Sequence, residues 1–278
     1  MTSGYERLRQ VMAALRATDG CPWDRDQSLQ SLQPYLIEEA YEVIDAIDAL
    51  GAAGHARAGE VIDGAATEAS AAAIANHREE LGDVLLQVVF QAQIAAENGW
   101  FSADDVAHGI ADKMERRHPH VFGDEHAANV DAVITRWQAL KRAEGKSTLG
   151  GVPRALPALL RAQRIGEKAA RVAFDWPDVG GALAKVDEEL GELREAIACG
   201  DEQAIEHELG DLLFAATSVA RHTGVDAEGA LRRTLDRFAR RFATVEAGIN
   251  GATDAGQVLD AAGLEALWQR AKDAEATP

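Results

Sequence analysis

The sequence predicts an all-α protein made of two related helical units, and three observations support this prediction. No segment alternates apolar and polar residues with the period of two that a half-buried strand shows. Alanine is abundant and aromatic residues make up only 5% of the chain, a composition that favours helix over sheet. Several motifs also recur in the same order in the two halves, which we interpret as an internal duplication.

The duplication has four recurring parts. ELGDVLL at 80–86 and ELGDLLF at 208–214 align without a gap at an offset of 128 residues. An acidic motif recurs from Glu39 to Glu189 at an offset of 150. The last two parts pair DKMERRHPHVF (112–122) with DRFARRFATVE (236–246), and RWQALKRAE (136–144) with LWQRAKDAE (267–275). A repeat in constant order predicts two tandem domains of similar fold.

The beginning of the chain predicts two helices separated by a turn. Residues 5–17 have the pattern of an amphipathic helix, which ends before the CPWD turn at 21–24. The next segment, SLQSLQPYLIEEAYEVIDAIDAL, is expected to be helical over most of its length, with Pro34 near its start or at a kink. The Ala/Gly-rich stretch 51–77 is an insertion in the first copy. We expect a loop with some helix there.

The helix that contains the first ELGD motif is predicted by apolar residues at i, i+3, i+4, i+7 and i+8, counted from Leu81. Ser102 is expected to cap the following helix, with Asp105 at the capping-box position and Pro119 at the end of the helix. A short helix is predicted around Trp137.

Glycine and proline concentrate at 144–157, which is the best candidate for a domain boundary. We therefore predict an N-terminal domain at 1–146 and a C-terminal domain at 147–278. In the second domain the pattern predicts helices at roughly 158–172, 182–198, 202–222, 226–248 and 260–275.

Composition disfavours several classes of partner. The net charge of −18 disfavours duplex nucleic acid or an anionic membrane surface. A phosphorylated small molecule stays possible, because a bound metal can invert the local charge. The longest uncharged apolar run, 84–96, is too short to span a bilayer, and the N-terminus lacks the apolar core of a signal peptide. We expect a soluble cytoplasmic protein whose Cys21 and Cys199 are reduced.

The second copy carries acidic residues at helical spacing. Glu189 and Glu192 share one helix face, as do Glu208 and Asp211, and Glu188 precedes the first pair. Gly200 and Asp201 between them predict a helix stop followed by an N-cap, and hence a pair of facing helices. Carboxylates gathered in this way repel one another, and a hard cation such as Mg²⁺ offsets the repulsion. The pattern predicts a metal site.

The first copy repeats these acids, with Glu39 and Glu42 in the first motif and Glu80 and Asp83 in the second. Because all four are present, we predict that they too bind metal. The spacing differs between copies, since 37 residues separate Glu42 from Glu80 and only 15 separate Glu192 from Glu208.

The order EExxE, ExxD, basic cluster and WQxxK resembles the MazG family of all-α nucleoside triphosphate pyrophosphohydrolases over nearly the whole chain. The resemblance implies a four-helix core, homodimerisation and dependence on Mg²⁺, with Mn²⁺ as a possible substitute. It also implies hydrolysis of an NTP or dNTP to a monophosphate and pyrophosphate, which would remove unwanted nucleotides. In duplicated relatives the C-terminal site is the catalytic one, so we expect catalysis at Glu189, Glu192, Glu208 and Asp211.

Basic and aromatic residues near the acids fit a triphosphate substrate. Positive side chains stabilise the charge that spreads in phosphoryl transfer, and Arg237, Arg240 and Arg241 can supply it in the second copy. Lys113, Arg116 and Arg117 stand in the equivalent part of the first copy. Trp268 and Lys272 lie one helical turn apart, so that a ring could stack on the base while an amine reaches a phosphate. Lys185 and Glu188 complete the expected nucleotide-contacting set.

Other interpretations stay open at this point. The chain could be a non-catalytic helical regulator that binds nucleotide or metal and acts through a partner protein. It could also be a narrow phosphoribosyl-ATP or dUTP/dCTP pyrophosphatase, because those enzymes share the acidic motifs. A di-iron carboxylate bundle is disfavoured, since it requires two Glu-x-x-His motifs and only Glu115 with His118 forms one.

Overall fold

A computed structural model describes residues 2–53, 68–123, 147–254 and 257–276. Every regular element within these ranges is a helix, which confirms the all-α prediction. The first six helices are α1 Gly4–Arg16, α2 Pro22–Asp26, α3 Gln33–Ala52, α4 Glu68–Glu97, α5 Ala103–Arg117 and α6 Pro119–Phe122. The remaining five are α7 Ala158–Ala170, α8 Val179–Cys199, α9 Glu202–His222, α10 Ala227–Asp254 and α11 Ala261–Ala276.

The chain divides into two compact units, 1–133 and 134–278. The stretch in which the division falls, 124–146, includes the helix expected around Trp137 and lies outside the described residues. The predicted boundary between residues 146 and 147 therefore stays a prediction. None of the described helices is long and apolar enough to cross a membrane.

In the first unit, α4 is the central helix, and it packs against α1, α3 and α5. The core joins Met12 of α1 and Leu32 to three residues of α4, Val89, Phe90 and Ile94. Burial of apolar surface of this kind is the main favourable term in folding. The other face of α4 is left to pack on α3, the helix that carries the first acidic motif.

In the second unit, α9 has the central position and packs against α7 and α8. Gly200 ends α8 in the left-handed conformation at φ +70°, which glycine adopts without a steric cost. The side chain of Asp201 then accepts hydrogen bonds from the backbone N–H of Gln203 and Ala204, both at 3.1 Å, and so caps α9. Both roles were predicted from the sequence. A connection this short folds α9 back along α8.

The remaining capping and boundary predictions are confirmed in part. Ser102 and Asp105 form the predicted capping box at the start of α5. The predicted turn at 21–24 is wrong, because Pro22 begins the short helix α2; proline's fixed φ and missing N–H suit the first helical position. The helix expected at 226–248 extends to Asp254. α4 begins at Glu68, inside the inserted stretch, of which residues 54–67 lie outside the described part.

Candidate metal and nucleotide site

The acidic motifs of the second copy meet where α8 and α9 face each other. Glu189 and Glu192 lie on α8, and Glu208 lies on α9. Each of the three offers a carboxylate oxygen, and these oxygens all lie within 4.8 Å of one another. Three converging anions in this space repel each other unless a cation lies among them. The short connection at Gly200 and Asp201 is what brings the two motifs together.

Glu189 is the innermost member of the set. Glu189 is only 3% exposed, and carboxylates are almost never buried to this extent without a partner. The Nζ of Lys185 lies 2.6 Å from its Oε1. Its Oε2 is buried and has no hydrogen-bond partner. A buried anionic oxygen without a donor is costly, and a coordinated cation is one way to satisfy it.

Lys185 lies one turn before Glu189 on α8 and is engaged by two carboxylates. Its Nζ also lies 2.8 Å from Oε1 of Glu188. The hydrogen bonds that Lys185 donates to the carboxylates of Glu188 and Glu189 raise its pKa above its ordinary value. Lys185 and Glu188 were both expected to contact nucleotide. In the structure they pair with each other, so a role of Lys185 at a phosphate requires it to leave at least one of these partners.

Asp211 joins the acids through a different group of atoms. With Glu208 and His207 it forms a second set whose possible ligand atoms lie within 4.8 Å of one another. Glu208 therefore belongs to both sets and links them. His207 was not among the residues expected from the sequence, although its spacing, directly before Glu208 and one turn before Asp211, was visible there.

The first copy brings its acids together in a similar way. Oxygens of Glu39, Glu80 and Asp83 lie within 4.8 Å of one another. Burial, followed by the charges of Asp83 and Glu42, raises the pKa of Glu39 above its ordinary value. Burial, followed by the charges of Glu42 and Asp83, does the same for Glu80. A hydrogen bond to Glu42 adds to both effects, which places this fourth carboxyl group beside Glu39 and Glu80.

One position distinguishes the two acid sets. Lys185 lies four residues before Glu189, and the residue four before Glu39 is Tyr35. The second copy thus holds a cation among its acids, whereas the first has a half-exposed tyrosine ring that packs edge-on against Trp23 at a centroid distance of 6.0 Å. Both sets consist of carboxylates, but the second has a lysine beside them where the first has a tyrosine.

The three arginines expected to contact the substrate lie on α10, and two of them pair with α11. Arg241 Nε lies 2.7 Å from Oε2 of Glu275, and Arg240 Nε lies 3.5 Å from Oε1 of the same residue. Arg237 donates a hydrogen bond to Oγ1 of Thr234 at 3.1 Å. Glu275 was missed by the sequence analysis. Its separation of 34 residues from Arg241 left no local signal of the pairing.

Trp268 is part of a small apolar cluster between α10 and α11. It packs against a core of Val245, Leu267 and Ala271, and its ring lies 5.2 Å from that of Phe238, centroid to centroid. Phe238 is about half exposed. The cluster therefore presents aromatic surface beside the arginines of α10. Lys272 follows Trp268 by one turn and is partly buried.

A model of the MazG nucleotide pyrophosphohydrolase domain matches the chain twice, over residues 27–122 and 181–245. The chain belongs to the MazG family. The two matched segments include all eight carboxylates expected to bind metal and the three arginines expected to contact the substrate, Arg237, Arg240 and Arg241. Trp268 and Lys272 lie beyond the second match.

Proteins of similar sequence agree with this assignment. The chain is 41% identical to a nucleoside triphosphate pyrophosphohydrolase of Escherichia coli, with 97% of each chain covered. It is also 41% identical to the nucleoside triphosphate pyrophosphohydrolase/pyrophosphatase MazG of Thermotoga maritima, over 98% of this chain and 97% of that protein. A nucleoside triphosphate pyrophosphohydrolase of Mycobacterium tuberculosis is 34% identical over 61% of this chain and 46% of its own length. The resemblance inferred from the motifs is confirmed.

The donor set of this MazG chain fits a hard divalent cation. All ligand candidates on α8 and α3 are carboxylates, the ligands that Mg²⁺ prefers, and Glu189 supplies a buried oxygen without any other partner. Burial, followed by the charges of Glu189 and Glu208, raises the pKa of Glu192. A cation bound among the acids would remove this repulsion.

The raised pKa values predict how the stability of the metal-free protein depends on pH. The folded state binds protons more tightly at Glu39, Glu80 and Glu192 than the unfolded chain does, so stability falls as pH rises from their ordinary value of 4.5 through the raised values. We expect the melting temperature without metal to fall over this range, and Mg²⁺ to reverse much of the fall. Thermal unfolding followed by circular dichroism would measure it. Glu192→Gln should flatten the profile, and a slope equal to that of the wild type would contradict the interpretation.

Proposed function

We propose that this MazG chain hydrolyses nucleoside triphosphates, NTP or dNTP, to the monophosphate and pyrophosphate, with Mg²⁺ as the physiological cofactor and Mn²⁺ as a possible substitute. The observation that carries the proposal is the carboxylate of Glu189, which has a buried, unpaired Oε2 and offers an oxygen within 4.8 Å of oxygens of Glu192 and Glu208. A cation bound at this centre would neutralise the carboxylates and would in turn bind a polyanion such as a triphosphate. The names of the full-length relatives support the choice of substrate.

Each group of residues has a proposed part in the reaction. Glu189, Glu192, Glu208 and Asp211 hold the cation, whose contribution when bound is to neutralise triphosphate oxygens and to lower the pKa of a coordinated water. Attack of water at the α-phosphorus breaks its bond to the bridging oxygen, and pyrophosphate leaves. Arg237, Arg240 and Arg241 stabilise the negative charge of the transition state, and Lys185 and Lys272 bind phosphate. Trp268 stacks on the base, with a ring that suits any base.

We propose that catalysis takes place in the second copy. Lys185 adds a cation to the acids there, whereas Tyr35 stands at the equivalent place in the first copy. A cation beside a triphosphate lowers the electrostatic cost of bringing it to a centre rich in carboxylates. The first copy keeps its four acids, Glu39, Glu42, Glu80 and Asp83, and is proposed as a metal site that is structural, regulatory or weakly active.

We further propose that the chain is a cytoplasmic homodimer that removes unwanted nucleotides and has no membrane or stable nucleic-acid partner. Five large apolar side chains on α8 and α9 stay exposed in the single chain: Leu183, Ile197, Leu209, Leu213 and Phe214. Apolar surface of this extent is a frequent sign of a protein interface. Light scattering should give twice the chain mass of 29.7 kDa, and a monomer at micromolar concentration would contradict the dimer.

The products distinguish this function from other hydrolyses of a triphosphate. Incubation of each common NTP and dNTP with the protein and Mg²⁺, followed by phosphorus NMR, should show monophosphate and pyrophosphate in a fixed ratio. Diphosphate and orthophosphate would instead indicate attack at the γ-phosphorus and would sink the proposal. Turnover of only dUTP and dCTP, or of only phosphoribosyl-ATP, would favour a narrow enzyme of the related type.

The second candidate is a non-catalytic regulator that binds nucleotide or metal. The pairing of Arg240 and Arg241 with Glu275 is the observation in its favour, since these cations are already partly neutralised. Nucleotide binding in calorimetry, without release of pyrophosphate under Mg²⁺ or Mn²⁺, would support the regulator over the enzyme.

A further inference from the structure

His207 lies at the edge of the proposed metal centre without having been assigned a part in it. It directly precedes Glu208 on α9, and its Nδ1 lies 3.2 Å from Oδ2 of Asp211 and 3.5 Å from Oε1 of Glu208. Its side chain is 73% exposed, so the ring can be reached by an ion from solvent. The ring nitrogen therefore faces two carboxylates that are themselves candidate ligands.

A surface pair of histidine and aspartate would be the simplest explanation, but this group is connected to a buried ligand. Glu208 has oxygens in the same small space as Glu189 and Glu192 as well as near His207 and Asp211. Glu189, the buried member of that group, has an Oε2 with no hydrogen-bond partner. Through Glu208, the exposed imidazole is thus connected to the group of carboxylates that includes Glu189.

We propose that His207 is a direct ligand which, with Glu208 and Asp211, binds a divalent transition-metal ion through Nδ1. The inference rests on the proposed function only in that Glu208 and Asp211 are metal ligands. An imidazole nitrogen is a softer donor than a carboxylate oxygen, and it binds first-row transition metals better than Mg²⁺. His207 would therefore shift the preference of the centre toward ions such as Mn²⁺ and Co²⁺, relative to an all-carboxylate set.

The first copy provides the comparison within the same molecule. Its group of Glu39, Glu80 and Asp83 contains no histidine, although the half-buried His77 lies on α4 three residues before Glu80. A metal bound there would have oxygen donors alone. His77→Gln is consequently a matched control for His207→Gln, because each variant removes one histidine from the helix that carries an ExxD motif.

The experiment is pulsed electron paramagnetic resonance on the full chain loaded with Mn²⁺. The wild type and His77→Gln should show coupling of Mn²⁺ to a nitrogen nucleus, and His207→Gln should lose it. Calorimetry should show Co²⁺ and Mn²⁺ binding weakened by about tenfold or more in His207→Gln, with a much smaller change for Mg²⁺. Circular dichroism would verify that each variant is folded.

Two results would overturn the inference: bound Mn²⁺ without nitrogen coupling in the wild type, or coupling that persists in His207→Gln. Release of pyrophosphate is measured separately. If nucleotide is hydrolysed but the nitrogen coupling is absent, His207 is a surface residue and the proposed function stands. If the coupling depends on His207 but no pyrophosphate forms, the ligand assignment stands and the proposed function fails.

Discussion

Replacement of Glu189 by glutamine should lower the rate of pyrophosphate release by roughly a hundredfold to a thousandfold, the loss typical when one electrostatic contact to a transition state is removed. The side chain keeps its size, so packing around this buried position is preserved. Its charge is lost, and with it the anionic oxygen that has no other partner. Initial rates with saturating Mg²⁺ would measure the effect, with melting temperature as the check on folding.

Glu195→Gln is the matched control for this variant. Glu195 lies on the same helix, α8, and is exposed, so its replacement changes the net charge equally without touching the acid set. We expect rates within about twofold of the wild type, as for surface substitutions in general. Asp211→Asn should resemble Glu189→Gln. Substantial turnover in both folded variants would mean that these carboxylates do not form the catalytic centre.

Replacement of Arg241 by alanine should lower kcat/KM by about a hundredfold or more, since a guanidinium aimed at a transferring phosphoryl group is worth that much or more. Its Nε is held by Oε2 of Glu275 at 2.7 Å, which restricts the guanidinium to one region of α10. Lysine at this position keeps the charge but loses the planar fork, so it should recover only part of the loss. Steady-state kinetics with a single NTP would separate effects on kcat from those on KM.

Two further variants serve as controls for Arg241→Ala. Arg233→Ala removes an exposed arginine from the same helix, two turns earlier, and should leave kinetics nearly unchanged. Glu275→Gln keeps both arginines but loosens them, so it should lower kcat/KM by less than Arg241→Ala does. If Arg241→Ala were no worse than Arg233→Ala, the guanidinium would have no contact with the substrate.

The acid sets could be predicted from the sequence because their geometry is local. Residues three apart on a helix must share a face, and Gly200 followed by Asp201 makes a helix end and a new helix begin. These two short-range rules were sufficient to predict that the motif of Glu189 would meet that of Glu208. The repetition in the first copy strengthened the prediction, because chance acid pairs do not recur in order.

The remaining features depend on packing between distant residues. Spacing alone did not show that Glu189 would be buried or that one of its oxygens would lack a partner, since both follow from how α8 packs on α9. The pairing of Glu275 with Arg241 spans two helices and lacks any periodic signal. The difference between Lys185 and Tyr35 was visible in the sequence, but its meaning became clear only when each was seen beside its acids.

The measurement that tests the central claim most directly is pyrophosphate release by Glu192→Gln and Glu42→Gln, compared with the wild type, across the common NTPs and dNTPs with Mg²⁺. These variants make the same chemical change at equivalent positions of the two copies. The account predicts turnover of several bases by the wild type and by Glu42→Gln, and its loss in Glu192→Gln. Loss in Glu42→Gln with normal turnover in Glu192→Gln would place catalysis in the first copy and contradict it.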